Sequence, residues 1–262
     1  MKKLFTTIII ILSICANTSF GAEIDYGQKG IINFIQTKTL EKTISTILKK
    51  KLGGNISTEI TSYGAKGLRN GYFEKAHIQA ENINYKNISI SQIETTTTSA
   101  PNQIIINDKK FIPQTEIYAN YSAELDNKDI ESIVKSEYLQ AKITKINEQI
   151  SPLARISDLN VYIKDNHLIF KIPIQTFIQD ATITFSTNIL AQNGSTTLSD
   201  ITTNKNLKRF ISSNLDAILE SINPVDILLD KVNNSKVNFS VKNINIINDK
   251  IQISGIIRIY KD

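Results

Sequence analysis

Apolar residues recur at two periods along this chain, and the period switches several times. Over residues 28–52 the spacing is three or four: Ile31, Ile35, Leu40, Ile44, Ile47, Leu48 and Leu52, with Phe34 beside them. That spacing gathers one greasy stripe on a helix. Lys49-Lys50-Lys51 fall in its last turn, where positive charge suits the helix dipole, and Gly53-Gly54 end it. The period then becomes two. Ile56, Thr58 and Ile60 alternate; so do Ala76, Ile78 and Ala80, after glycine-rich turn chemistry at Gly64, Gly67 and Gly71. Ile88 and Ile90 continue the theme, and Ile117, Ala119, Tyr121, Ala123 and Leu125 make a five-step alternation. These segments predict strands with one buried face, separated by turns at Asn102 and Asn107-Asp108.

A second helix is predicted from an N-cap at Asp126 or Asn127, with Ile130, Ile133, Val134, Tyr138, Ile143, Ile146 and Ile150 on its stripe. Its 139–150 part reads either as a continuation or as a separate element. Strands return at Leu159, Val161 and Ile163, at Leu168, Phe170, Ile172 and Ile174, and at Ala181, Ile183, Phe185, Thr187 and Ile189. Asp165-Asn166 and Asn193-Gly194 are hairpin turn signals between them. A third helix is predicted over Leu207, Phe210, Ile211, Leu215, Ile218, Leu219 and Ile222, closed by Asn223-Pro224. A short apolar stretch, Val225 to Leu229, follows. The last strands carry Val237, Phe239, Val241, Ile244 and Ile246, then Ile251, Ile253, Gly255, Ile257 and Ile259, with a turn at Asn248-Asp249.

Striped helices and one-sided sheets must cover each other. The expected class is α+β: a long curved antiparallel sheet wrapped around amphipathic helices, in a single domain over residues 22–262. Residues 95–103 read as a surface loop rather than a linker.

The N-terminal 21 residues follow a different logic. Met1-Lys2-Lys3 is cationic, Leu4 to Ala16 is apolar around Ile8-Ile9-Ile10-Ile11, and Ser19-Phe20-Gly21 offers small residues for cleavage. This is the pattern of a secretory signal peptide, which places the working protein outside the cytoplasm, in the periplasm or cell envelope. Leu12-Ser13-Ile14-Cys15 resembles a lipoprotein signal with the lipid on Cys15, but Ile14 stands where a small residue belongs. Cys15 is the one cysteine, so a chain cleaved after Gly21 has no disulfide. Net charge is +5; without Lys2 and Lys3 it is near +3. That mild excess suits an anionic membrane surface weakly and is too dispersed for nucleic acid.

Catalytic apparatus is sparse. The two histidines, His77 and His167, sit in a strand-like segment and beside a turn. Neither a zinc-binding pattern nor a nucleophile elbow, phosphate loop or dinucleotide fingerprint is present. Asp158, Asp165, Asp180 and Asp200 lie near strand ends, where paired carboxylates could attack a glycan but where Asp is ordinarily a turn former. No catalytic residue, metal or cofactor is expected. The greasy strand faces are the remaining lead: a gap between sheet and helices would be an apolar cavity suited to acyl chains. The candidate lining is Ile117, Tyr121, Phe170, Ile172, Ile174, Ile183 and Phe185 from strands, with Phe210 and Leu215 from the third helix. Periodicity does not separate a hollow interior from a filled one. The chain therefore reads as a lipid binder or, alternatively, as a structural or interaction protein of the envelope with a solid core.

The organisation over residues 28–260 resembles the LmeA-like family of bacterial envelope proteins. The likeness rests on the N-terminal helix and on Leu68-Arg69-Asn70-Gly71-Tyr72-Phe73-Glu74-Lys75-Ala76-His77-Ile78 leading into Ile88-Ser89-Ile90-Ser91. Ala123-Glu124-Leu125-Asp126 before Ile130, Asn223-Pro224, and the closing hairpin Ile244 to Gly255 complete it. The resemblance implies a non-enzymatic, extracytoplasmic phospholipid-binding protein, acting in lipid transfer or envelope maintenance. It also implies a fold similar to tubular lipid-binding domains. It assigns no site residues.

Overall fold

A computed structural model describes residues 27, 29–85, 87–107, 110–150, 154–176, 180–203 and 221–261. The expected signal peptide, Cys15 and the expected helix over 207–222, up to residue 220, lie outside them.

Helix α1 (Ile31–Leu52) turns back on itself at Gly53 and Gly54 and lies along strand β1 (Asn55–Thr61). Both glycines have φ of +68°, but they differ in surroundings. A Cβ on Gly53 would meet nothing within 4 Å; one on Gly54 would sit 2.2 Å from the Glu81 carbonyl oxygen. The turn thus presses directly on the neighbouring strand. A short helix, α2 (Ala65–Arg69), follows where glycine turns were expected, then β2 (Tyr72–Phe73).

The larger sheet contains six antiparallel strands in the order β1, β3 (Lys75–Tyr85), β4 (Ile88–Thr97), β7 (Ile117–Leu125), β14 (Lys250–Ile259) and β13 (Val237–Ile247). It curls into a half-barrel. Its rows alternate as period two demands. Ile93, Ala123, Ile253 and Ile244 are aligned across four strands on the inner face, while Gln92, Glu124, Gln252 and Asn245 form the adjacent outer row. The sequence between β4 and β7, expected as turns and loop, instead forms β5 (Asn102–Asn107) and β6 (Lys110–Pro113), which join β2 in a three-stranded sheet.

The second helix is two helices. Asp126 caps α3 (Asn127–Val134) through a capping box with Asp129, and the chain restarts as α4 (Glu137–Ile150) after Lys135-Ser136. Strands β8 (Ala154–Ile156), β9 (Asn160–Lys164), β10 (His167–Thr176), β11 (Ala181–Gln192) and β12 (Ser195–Thr203) build the second sheet. Its order is β12-β11-β10-β8, with β9 also on β10. The polar strand β12 carries no clean alternation and is recruited by the Asn193-Gly194 turn. That turn, Asp165-Asn166 and Asn248-Asp249 are all two-residue connections with both φ values positive, as a type I′ hairpin requires. The second sheet packs against the first through β11 and β13. The two hairpin tips also touch: Asn166 N–H donates to Asp249 Oδ1 at 2.9 Å, and Asp249 N–H to Asn166 Oδ1 at 3.2 Å.

Asn223-Pro224 does not merely stop a helix. It starts one, α5 (Pro224–Val232), with Asn223 as N-cap and Pro224 in the first turn. The stretch read as short and apolar is this helix. Gly53→Ala is expected to lower stability by about 1–3 kcal/mol from backbone strain alone, since φ of 68° with ψ of −161° is a conformation for glycine, and Gly54→Ala by more because the strand must move as well. Urea unfolding of the two variants checks the contrast.

Candidate functional site: an apolar cleft under helix α5

The inner face of the half-barrel is covered by α1 at one edge and by α3 and α5 further along. Between α5 and the sheet lies a narrow apolar cleft of about 70 Å³. Its floor comes from Ile83, Ile88, Ile90 and Ile93 of β3 and β4, Tyr121 and Ala123 of β7, and Phe239 and Ile253 of the last hairpin. Its roof is Val225, Leu228, Leu229, Lys231 and Val232 of α5, with Leu52 at one end.

A local backbone feature shapes the floor. Ile83 and Ile93 cannot both share a face with Ala80 and Ile90 if strict alternation holds, since their spacings are odd. Asn82 adopts a left-handed φ of 52°, and Glu81 and Asn82 are both exposed. The phase of β3 changes there, and its partner β4 changes with it, Ile90 opposite Ile83 and Ile93 opposite Ala80. Asparagine tolerates this conformation better than other side chains. All four isoleucines consequently meet the cleft.

Tyr121 is the one residue of the floor with a polar tip. Its ring leans over Gly255, where any Cβ would come within 2.9 Å of Tyr121 Cε1 and 1.9 Å of the Ser240 carbonyl oxygen. Phe239 meets it edge-on, with centroids 5.3 Å apart. Tyr121 is only 6% exposed, and its hydroxyl has no hydrogen-bond partner among the described residues. Burial pushes its pKa up, so the group stays a neutral O–H donor. A buried hydroxyl without a partner is costly.

Helix α5 is fixed at both ends. Asn223 Oδ1 accepts from Val225 N–H at 3.1 Å, and its amide donates to Thr196 Oγ1 and Asp226 Oδ2. Asp226 Oδ1 accepts from the Thr196 N–H and hydroxyl and from Ser195. At the other end Asn233 pairs with both backbone groups of Phe239. The end of β4 is held as firmly: the Asp129 carboxylate of the α3 capping box also accepts the Ser91 N–H at 2.8 Å.

The sequence-selected positions fall in different places. Tyr121 lines the cleft. Ile117 is fully buried opposite Ile259 in the half-barrel. Phe170 and Phe185 face each other across β10 and β11 as stacked rings 4.8 Å apart, and Ile172 faces Ile183 beside them. These four, with the half-buried Ile174, form a cross-strand ladder in the second sheet and are not brought to the cleft. Phe210 and Leu215 lie outside the described residues. The α5 contribution was missed, although Val225, Leu228, Leu229 and Val232 follow a proline-led helix start at helical spacing. The floor residues of β3 and β4 were missed because the phase change at Asn82 is invisible to a period-two count.

On the outer face of the same strands, Gln92, Glu94, Ser122, Glu124, Asn243, Asn245, Gln252 and Ser254 line an open polar furrow of about 390 Å³. Glu124 there is engaged by Lys250 at 2.9 Å, which holds its carboxyl below the usual range. Of the four aspartates, Asp165 has positive φ as a hairpin turn former, and Asp200 has positive φ at the register shift within β12, where it accepts from Asn188. Among the described residues no three His, Cys, Asp or Glu side chains gather as metal ligands, and no helix is long and apolar enough to cross a membrane.

Comparison with protein-family models, curated proteins and solved structures finds no match to this chain.

Tyr121→Phe removes the unpartnered hydroxyl and keeps the ring. It is expected to leave stability unchanged or raise it by about 1 kcal/mol, since nothing is lost but a buried polar group. Chemical denaturation that shows a loss of 1 kcal/mol or more would mean that the hydroxyl has a partner in the folded protein.

Proposed function

We propose that the protein is a non-enzymatic lipid-binding protein working outside the cytoplasm, and that the acyl part of its ligand enters the cleft between α5 and the half-barrel. The observation that carries this reading is the cleft itself: hydrocarbon from five strands and two helices, with one unpartnered hydroxyl on a residue of its floor. Hydrocarbon walls favour an apolar chain, and the Tyr121 hydroxyl can donate to a carboxylate or ester oxygen near that chain. The resemblance to the LmeA-like envelope family points the same way, and with it a kinship of the half-barrel to tubular lipid-binding domains. Export through the N-terminal signal would place the protein beside its ligand, with transfer or envelope maintenance as its task.

At about 70 Å³ the cleft is far smaller than the ~300 Å³ where pockets that engulf whole ligands begin. It accommodates the end of a chain; a longer length enters by parting α5 from the floor. The narrowness also favours a second reading, a solid-cored structural protein of the envelope that takes no lipid.

Two measurements separate these. Organic extracts of protein purified without detergent are expected to contain phospholipid or fatty acid in near-stoichiometric amount by mass spectrometry. Uptake of a fluorescent acyl probe is expected to fall at least tenfold in Ala123→Phe, which projects a ring into the cleft from a half-buried position. Clean extracts together with probe uptake absent from the parent protein favour the solid-cored reading.

A further inference from the structure

Helix α1 is longer than the strand it lies along. Its 22 residues span about 33 Å, whereas the seven residues of β1 span about 24 Å. The C-terminal part of the stripe is buried at Ile44, Leu48 and Leu52. Near the other end, Asn33 accepts from the Ser62 hydroxyl just past the end of β1. At that end Ile31, Ile32, Phe34 and Ile35 are 80%, 63%, 62% and 56% exposed. Four large apolar side chains in five residues therefore project into solvent on the first turns of the helix.

The charge along α1 itself is mostly positive, although Glu74 faces Lys29 and Glu59 lies near Lys38. Between Gly27 and Leu52 stand six lysines and a single acid, Glu41. Glu41 is buried against the sheet, where it accepts from the Ile60 N–H at 2.9 Å and from Lys38 at 2.7 Å. The first turn holds no acidic residue. Thr39, Thr43 and Thr46 return their hydroxyls to helix carbonyls four residues back. The solvent side of α1 thus offers hydrocarbon at its tip and ammonium groups behind it, including Lys38 and the exposed Lys42. Lys29 lies before the tip, 3.9 Å from Glu74.

We infer that this projecting end of α1 docks on an anionic lipid surface, the four side chains entering the headgroup boundary while the lysines meet lipid phosphates. Cationic helices with exposed aliphatic and aromatic groups partition to such interfaces. A protein partner fits less well: four side chains on a narrow tip fall short of the ~800 Å² per partner that a stable interface buries. The inference rests on the helix end, not on the cleft, and stands whether or not the cleft takes lipid.

The chain has no tryptophan, so Phe34→Trp installs a single reporter at the tip. The full chain is used, with its N-terminal residue read by intact mass. Vesicles of phosphatidylcholine with added phosphatidylglycerol are expected to shift the indole emission to the blue, and brominated acyl chains to quench it. Raised salt should weaken both effects. Ile31→Ser with Ile32→Ser and Ile35→Ser, all at exposed positions, should lower vesicle partitioning at least about a hundredfold with unchanged circular dichroism. Lys38→Gln with Lys42→Gln should lower it about tenfold or more on the anionic vesicles and little on phosphatidylcholine alone. The inference is overturned if the indole emission is unmoved while vesicles bind the protein by another part, or if the serine variant partitions like the parent. It is equally overturned if the indole is shielded without lipid, by a second copy or a stoichiometric protein partner that the serine variant no longer binds.

Discussion

A six-stranded sheet that is apolar on one side has to hide that side from water, and the placement of the surrounding helices follows from this need. Curling into a half-barrel shortens the exposed width of the inner face, and α1, α3 and α5 roof what remains. The inner rows are hydrocarbon almost throughout, from Ile117 at one end to Leu125 at the other, while the outer rows are mostly polar, with Gln252, Glu124, Ser254, Ser122 and Asn120 among them and Ile256 as an apolar exception. The hydrophobic effect sets this arrangement without fixing detail, because it has no direction. Detail comes from a few polar clamps at the ends of the roof.

Asparagine supplies much of that detail. Asn127 on α3 pairs with both backbone groups of Ile163, Asn147 on α4 does the same for Ile156, and Asn233 past α5 does so for Phe239. In each case a carboxamide, with one donor and one acceptor, takes the place of a missing neighbouring strand. Edge groups that would otherwise lack partners are satisfied, and a helix is tied to a definite register. Other asparagines, at 82, 166, 193 and 248, occupy left-handed backbone positions. The chain's many asparagines thus have in part a structural role. The cleft is what lies between two such fixed points, the Asn223 cluster and the Asn233 clamp.

Most of the architecture was legible as period. The long helix, the one-sided strands and the three two-residue hairpins were all visible, because burial on one face leaves a repeat of two or of three to four. What was not legible depended on single backbone decisions. Asn223-Pro224 reads equally as an end and a beginning, and only the following Val225, Leu228, Leu229 and Val232 tip it towards a helix start. Strand β12 is too polar to show alternation and owes its place to the turn before it. The stripe on α1 runs past β1, so Ile31 and Ile35 belong to the pattern yet not to the core. The cleft was least legible of all. Phe170, Ile172, Ile183 and Phe185 carry the same apolar signal as Ile83 and Ile93, and which set faces a gap is decided by the phase change at Asn82 and by the roof that α5 lays over those strands.

The proposed lipid site is tested most directly by locating a hydrocarbon chain on the protein. Isotope-edited NMR on protein with labelled isoleucine and leucine methyls, loaded with a carbon-13-labelled fatty acid, reads this directly. Intermolecular contacts are predicted from the chain to Ile83, Ile88, Ile93 and Leu228, with none to Ile172 or Ile183. Contacts confined to the second sheet, or a saturating fatty acid that leaves every cleft methyl unshifted, would contradict it.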